Sequence, residues 1–124
     1  GRLARVRSEG ITDLRFGNVL EEHWAGRDRF EPGRDDRTPV PLPRGVACFA
    51  IAGTTSSSSE GPPERLPGDG MVPVASAFGL HDRPELQLDF APERRWLACS
   101  TNHTQLLDRP EVYAKLKEWL SLPV

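Results

Sequence analysis

Two short apolar runs, separated by a long polar loop, dominate the hydrophobic pattern of the chain. The first run, VACFAIAG at residues 46–53, is almost wholly apolar. Continuous hydrophobicity over this length predicts a strand covered on both faces, as in the parallel sheets of α/β proteins. The second run, RRWLACSTN at residues 94–102, predicts another strand. The alternation of ELQLDF at residues 85–90 predicts an edge or bridging strand between them.

The last segment of the chain has the pattern of an amphipathic helix. Asp108 is the expected cap, Pro110 falls in the first turn, and Glu111 stands three residues after the cap, as in a capping box. Apolar residues then recur at i, i+4, i+7 and i+8, which predicts one buried stripe. The residues of this stripe are Val112, Leu116, Trp119 and Leu120.

The segments before the first strand are more polar. Residues 8–24 predict a Ser-capped or turn-led segment with a short helix near its end. The Arg, Asp, Gly and Pro-rich residues 25–45 predict a surface excursion, in which four prolines exclude a continuing helix. The predicted fold class is therefore α/β, with parallel strands and a terminal packing helix. We assign residues 1–45 to a cap-like or connecting segment and residues 46–124 to the α/β part.

Composition narrows the class of protein. The 124 residues suit one domain or part of one, and with 27% charged and 37% hydrophobic residues the chain is neither a disordered tail nor a membrane protein. The longest apolar run is far below the roughly 18 residues that a spanning helix needs. A net charge of −2 gives no basic field for nucleic acid.

The first residue is Gly, and the only methionine is Met71, so we expect this chain to be a piece of a longer polypeptide. No leader segment is recognisable at its start. The cellular compartment is therefore open, with the cytoplasm favoured.

Metal and disulfide chemistry have little support in the residue spacing. Cys48 and Cys99 lie in apolar runs without metal-ligand spacing, which predicts buried free thiols, with a disulfide as the alternative. His23, His81 and His103 lie far apart in the sequence, outside any metal-binding frame.

Two candidate catalytic residues each follow a predicted strand. Asp69, in the GDG of RLPGDGMVPV, and His103, in CSTNHTQLL, lie where ligands and catalytic groups gather in open α/β sheets. Alone, a GDG is most often a surface turn and a loop histidine is usually just exposed. Together they predict a carboxylate that holds an imidazole in one tautomer. The flanking glycines would permit the turn, and Met71, Val72 and Val74 would anchor it.

The segments LPGDGMVPVASAFG, CSTNHTQLLDRPEVYAKLKEWL and, more loosely, GITDLRFGNVL resemble the C-terminal part of an α/β-hydrolase. The resemblance is to bacterial serine esterases and lipase-like members, including those of the GPI inositol-deacylase type. It covers most of residues 46–124 and loosely residues 8–24. It implies an incomplete α/β-hydrolase domain, with Asp69 as triad acid and His103 as triad base.

The sequence departs from that family in one large respect, because it contains no G-x-S-x-G nucleophile motif. Ser100 is a poor substitute because it lies three residues before His103 on the same strand end, and Ser56–Ser59 lie in a loose loop without an elbow. The resemblance therefore implies an ester hydrolase whose serine precedes this chain, acting on an ester or lipid-like small molecule without a cofactor. The missing N-terminal part of the domain would be its packing partner, and this chain alone would be inactive. The alternative is a non-catalytic partner-binding module or a degenerate hydrolase piece.

Overall fold

The computed structural model describes residues 20–26, 28 and 38–123, and the chain divides into two units between Val40 and Pro41. In the first unit, a 3₁₀ turn spans Glu21–His23. It lies where the short helix was predicted, whereas residues 8–19 lie outside the described residues. The described residues 38–43 contain no helix, as their prolines predict. The cap-like role assigned to residues 1–45 stays a prediction.

The second unit contains a small parallel sheet. Strands β1 (Ala50–Gly53) and β2 (Arg95–Ala98) pair in parallel, with Ala50 opposite Arg95 and Gly53 opposite Ala98. Both strands are shorter than the apolar runs that predicted them. The helical segments beside this sheet make the unit a mixed α/β arrangement. Coverage on both faces is incomplete, because Ile51 and three of the four β2 residues are partly exposed.

The predicted third strand is wrong. Residues 84–86 form a 3₁₀ turn, Pro84–Leu86, and the chain then runs without strand pairing to a second turn, Pro92–Arg94. A proline stands at the start of each turn, and its fixed φ favours a turn over an extended strand. The apolar residues Leu88 and Phe90 are half-buried. The alternating pattern therefore reflects partial burial of these side chains in a loop, and not a pleated strand.

The core lies between β1 and a single helical turn, α1 (Val74–Ala77). Ala50 and Ala52 point to one face of the strand, where Val74 and Phe78 pack against them. Val74 is completely buried. This packing matters for function because α1 directly follows the segment that carries Asp69.

The terminal helix, α2, spans Pro110–Leu120. Its N-cap is Arg109, and no side chain caps it, so the predicted Asp108 cap is wrong. Trp119 is buried and its ring lies 4.8 Å from that of Phe49, which joins the helix to the residue before β1.

The predicted stripe of α2 is only half buried. Val112 is buried like Trp119, but Leu116 is 45% and Leu120 86% exposed. The 3.6-residue period thus located an apolar face correctly, although only part of that face is covered in this chain. Among the described residues, no helix has the length and apolar character needed to cross a bilayer.

Candidate functional site

Two loops leave the same edge of the sheet and carry the predicted acid and histidine. Because β1 and β2 are parallel, the segments that follow them start side by side, and the Thr54 amide still donates to the Ala98 carbonyl at 2.9 Å. We call residues 65–73 the acid loop and residues 99–107 the histidine loop. Their expected placement beyond the carboxyl ends of the strands is confirmed.

The acid loop is a tight turn that uses its two glycines differently. Gly70 has a φ of 99°, a conformation that side chains disfavour. At Gly68 the limit is space, since a Cβ there would lie 2.0 Å from the Val72 carbonyl oxygen. The turn is closed by a hydrogen bond of 3.2 Å from the Asp69 amide to that same carbonyl. The turn that the flanking glycines were expected to permit is therefore confirmed, with a positive φ at Gly70 and a close backbone approach at Gly68.

The anchoring of the acid loop differs in part from the prediction. Val74 is fully buried and Val72 half-buried, but Met71 is 51% exposed and does not anchor the loop. Met71 stands at the outer side of the turn, directly after the positive φ of Gly70. The Thr55 amide donates to the Gly68 carbonyl at 3.1 Å. This backbone hydrogen bond anchors the acid loop, as Met71 was expected to do.

Asp69 is a buried carboxylate with hydrogen bonds to both oxygens. Its side chain is only 4% exposed. Oδ1 accepts from the amides of Met71 (2.9 Å) and Val72 (2.8 Å), while Oδ2 faces the His103 ring. Burial raises the pKa of Asp69, but the bonds from Val72, His103 and Met71 together outweigh it and hold this pKa below its ordinary value. The site therefore stabilises the ionised carboxylate.

The histidine loop is fixed by polar bonds around His103. The Asn102 side-chain oxygen accepts from the Gln105 amide at 3.0 Å, and the Gln105 side-chain oxygen accepts from the Asn102 amide at 2.9 Å. This reciprocal pair has the geometry of a capping box and leads into a 3₁₀ turn, Gln105–Leu107. The Thr104 hydroxyl also donates to the Asn102 side chain. These bonds within residues 102–105 hold the loop beside His103, whereas Leu107 is 91% exposed.

The two candidate residues are in direct contact. His103 Nδ1 lies 2.7 Å from Asp69 Oδ2, and the His103 amide donates to the Asp69 carbonyl at 3.0 Å. The ring is 43% exposed, in contrast to its buried partner. In the part of the chain that the structure describes, no group bonds to Nε2 of this ring.

This arrangement defines what the imidazole can do. An ionised carboxylate only accepts hydrogen bonds, so Nδ1 of His103 carries the hydrogen and donates it to Asp69. When the ring is neutral, the lone pair is then on Nε2, the nitrogen without a described partner. A carboxylate in this position also stabilises the imidazolium that forms when Nε2 takes a proton. The pair can therefore act as a general base.

No serine is arranged to be the nucleophile within the described residues. Ser100 has a φ of 49° and is exposed, and its amide donates to the Ser56 carbonyl at 2.7 Å. Ser56 and Ser58 accept amide hydrogen bonds from within their own loop. Across the described residues, no serine hydroxyl bonds to His103.

The other candidate chemistry is not assembled. Cys48 and Cys99 are free thiols, each half-buried, so the disulfide alternative is wrong and their burial is only partial. His81 accepts a hydrogen bond from the Arg83 amide at 2.9 Å, which closes a local turn. Residues 20–26, 28 and 38–123 contain no group of three or more His, Cys, Asp or Glu side chains placed to hold a metal ion.

One residue of the site was missed by sequence reasoning. Thr54 is completely buried at the end of β1, and its hydroxyl donates to the Pro67 carbonyl at 2.6 Å. Its only signal in the sequence is that it is the first polar residue after the apolar run 46–53.

Comparison of the chain with protein-family models, curated proteins and solved structures gives no match.

Proposed function

We propose that Asp69 and His103 are the acid and base of a serine hydrolase that acts on ester bonds. The observation that carries the proposal is the 2.7 Å contact between His103 Nδ1 and the buried Asp69 carboxylate, with the ring half-exposed on its other side. In the same proposal the chain is the C-terminal part of an α/β-hydrolase domain. The parallel pairing of β1 and β2 and the acid-then-histidine order support this reading.

The proposed nucleophile is a serine from residues that precede this chain, because the 124 residues contain no G-x-S-x-G motif. His103 Nε2 takes the proton of that serine as its oxygen attacks the ester carbonyl. The imidazolium then gives this proton to the departing alcohol, which leaves an acyl-enzyme. Water, deprotonated by the same nitrogen, attacks the acyl-enzyme and releases the acid. Asp69 holds the ring in the required tautomer throughout, and no cofactor takes part.

The substrate class follows from the resemblance and is an ester or lipid-like small molecule. This chain alone is expected to be inactive, since it holds the base and its orienting acid but no activated hydroxyl. The activity belongs to the longer polypeptide in which residues 46–124 complete the domain.

A non-catalytic, partner-binding module is the second candidate function. Apolar side chains exposed on and before α2 favour it, since such a cluster is typical of a surface that another protein element covers. The most exposed of them are Leu107 at 91%, Leu120 at 86% and Tyr113 at 68%. In a partner-binding module, the Asp69–His103 hydrogen bond has only a structural role, which is to hold the acid loop and the histidine loop together.

A fluorophosphonate probe separates the two functions, because it labels only a serine activated by an assembled triad. In the polypeptide that includes the residues encoded before Gly1, we expect labelling of one serine upstream of this chain. His103→Ala should abolish labelling, while His81→Ala, which removes the turn histidine, should retain it. A folded polypeptide that is not labelled, or labelling that survives His103→Ala, would refute the hydrolase proposal.

A further inference from the structure

Thr54 occupies the point where the acid loop, the histidine loop and the sheet meet. It directly follows β1 and is 0% exposed, although its side chain is polar. Burying a hydroxyl is unfavourable unless it is hydrogen-bonded, and here both capacities are used. The hydroxyl donates to the Pro67 carbonyl at 2.6 Å and accepts from the Ser56 amide at 3.1 Å.

The hydroxyl of Thr54 reaches the acid loop two residues before Asp69. The next residue, Thr55, donates its amide to the Gly68 carbonyl at 3.1 Å, so two consecutive carbonyls of the acid loop are held from the end of β1. Of these two bonds, only that from the Thr54 side chain can be removed by substitution without changing the backbone. The position of the acid loop against the sheet thus depends in part on one hydroxyl group.

The backbone of the same residue holds the histidine loop. The Thr54 carbonyl accepts from the Thr101 amide at 2.8 Å, two residues before His103. The Thr54 amide donates to Ala98, the last residue of β2. One buried residue therefore bonds to both loops that carry the Asp69–His103 pair. These bonds help to fix the position of one loop relative to the other.

We propose that Thr54 is a positioning residue. Its hydroxyl fixes the position of the acid loop, so that the Asp69 carboxylate lies within hydrogen-bond distance of His103 Nδ1. Without the hydroxyl, the Pro67 carbonyl loses its donor and the Ser56 amide loses its acceptor. The acid loop then shifts to find other partners, and the short Asp69–His103 bond lengthens. The inference concerns the pair itself and holds for either of the two functions proposed above.

Two matched pairs of side chains isolate the hydroxyl: threonine against valine, and serine against alanine. The test compares Thr54→Val, Thr54→Ser and Thr54→Ala by NMR in the 124-residue chain, with Leu120→Lys added to every protein to limit self-association through the exposed Leu120 side chain. The first readout is the exchange rate of the His103 Nδ1 hydrogen with water. The second is the pKa of the Asp69 carboxyl, which the His103 bond helps to lower.

We expect Thr54→Val and Thr54→Ala to speed exchange of the Nδ1 hydrogen by about tenfold, the factor that corresponds to one typical buried hydrogen bond. In both variants the pKa of Asp69 should move up toward its ordinary value. Thr54→Ser, which keeps the hydroxyl, should resemble the native chain in both readouts. If Thr54→Val does not fold, the comparison of serine with alanine decides the matter alone.

Thr101→Val controls for the loss of a buried hydroxyl as such, because Thr101 is 1% exposed and its hydroxyl donates to Cys99 within the histidine loop. It should lose stability while leaving both readouts near their native values. Native exchange and a native Asp69 pKa in Thr54→Ala would overturn the proposal. Equal changes in Thr101→Val would overturn it too, since they would reflect general loosening. Neither of these two results affects labelling by the fluorophosphonate probe. Failure of the Thr54 proposal can therefore be distinguished from failure of the hydrolase proposal.

Discussion

Asp69 and His103 are joined twice, once between side chains at 2.7 Å and once between the His103 amide and the Asp69 carbonyl at 3.0 Å. The backbone bond links the two loops directly beside the pair, and the side-chain bond joins the ring to the carboxylate. A pair held in this way is pre-organised, so little reorganisation is needed when the ring gains or loses a proton. The same double link also stabilises the fold, which makes the pair sensitive to changes elsewhere in the two loops.

The first prediction concerns the charge of Asp69. Asp69→Asn keeps an oxygen for the Met71 and Val72 amides but turns an NH₂ donor toward His103 Nδ1, which then must accept. The hydrogen moves to Nε2, the wrong tautomer for a base. In a polypeptide that includes the proposed upstream serine, we expect turnover of an ester substrate to fall by about four orders of magnitude.

The matched control is Asp82→Asn, which removes an exposed carboxylate from the chain. It should hydrolyse esters at the native rate. Near-native hydrolysis by Asp69→Asn would contradict the acid role of Asp69, even if the protein proved to be a hydrolase.

The second prediction concerns the shape of the acid loop. Gly68→Ala places a Cβ 2.0 Å from the Val72 carbonyl oxygen, and the backbone must move to accommodate it. We expect a loss of about 2 kcal/mol in the free energy of unfolding, within the usual range for overpacking. Gly61→Ala is the control, since nothing lies within 4 Å of the added atom there and any loss comes from its positive φ of 109°, a backbone strain that Gly68 does not have. Denaturant unfolding should show a larger loss for Gly68→Ala, and equal losses would contradict the steric explanation.

The prediction of the two loops from sequence succeeded because local patterns carry the information. An apolar run that ends in a polar segment marks the end of a strand, and the glycines beside Asp69 mark a turn. Parallel strands then bring Asp69 and His103 to one edge whatever the intervening residues are.

The sequence-based predictions that were wrong or incomplete have a common physical cause. Whether Leu120 is buried depends on what covers its face of α2, and periodicity reports only that the face is apolar. Thr54 was missed for the same reason, since its partner Pro67 lies 13 residues away and only the tertiary fold brings the two together. The alternation at residues 85–90 reflects burial of Leu88 and Phe90, which a loop satisfies as well as a strand.

The third prediction concerns acid pH. The folded-state pKa of Asp69 lies below the ordinary aspartate value of about 3.9, so the ionised form favours folding. This contribution is fully present above the unfolded-state value and is lost as the pH falls through the folded-state pKa. Denaturant midpoints measured from pH 6 downward should therefore fall below about pH 4. Asp69→Asn should be less stable at pH 6 but less sensitive to acid, whereas the same sensitivity in both proteins would contradict the assignment.

The fourth prediction concerns the exposed apolar side chains of α2 and the histidine loop. Leu107 and Leu120 are 91% and 86% exposed, far more than apolar side chains in a covered face. We expect the 124-residue chain to self-associate, because association removes this apolar surface from water, and to be only marginally stable as a monomer. Sedimentation velocity over a range of concentrations measures the association directly.

Leu120→Lys places a charge on this surface and should shift the chain toward the monomer, because association would then bury an unpaired ammonium group. Ser57→Lys is the matched control, since it adds the same charge at an exposed position in the polar loop after β1 and should leave association unchanged. Equal effects of the two lysines would show that net charge, and not this surface, governs association. A native chain that sediments as a single monomeric species and melts cooperatively would contradict the prediction. It would also argue against the view that residues 46–124 complete a larger domain, since the exposed leucines would then need no covering partner.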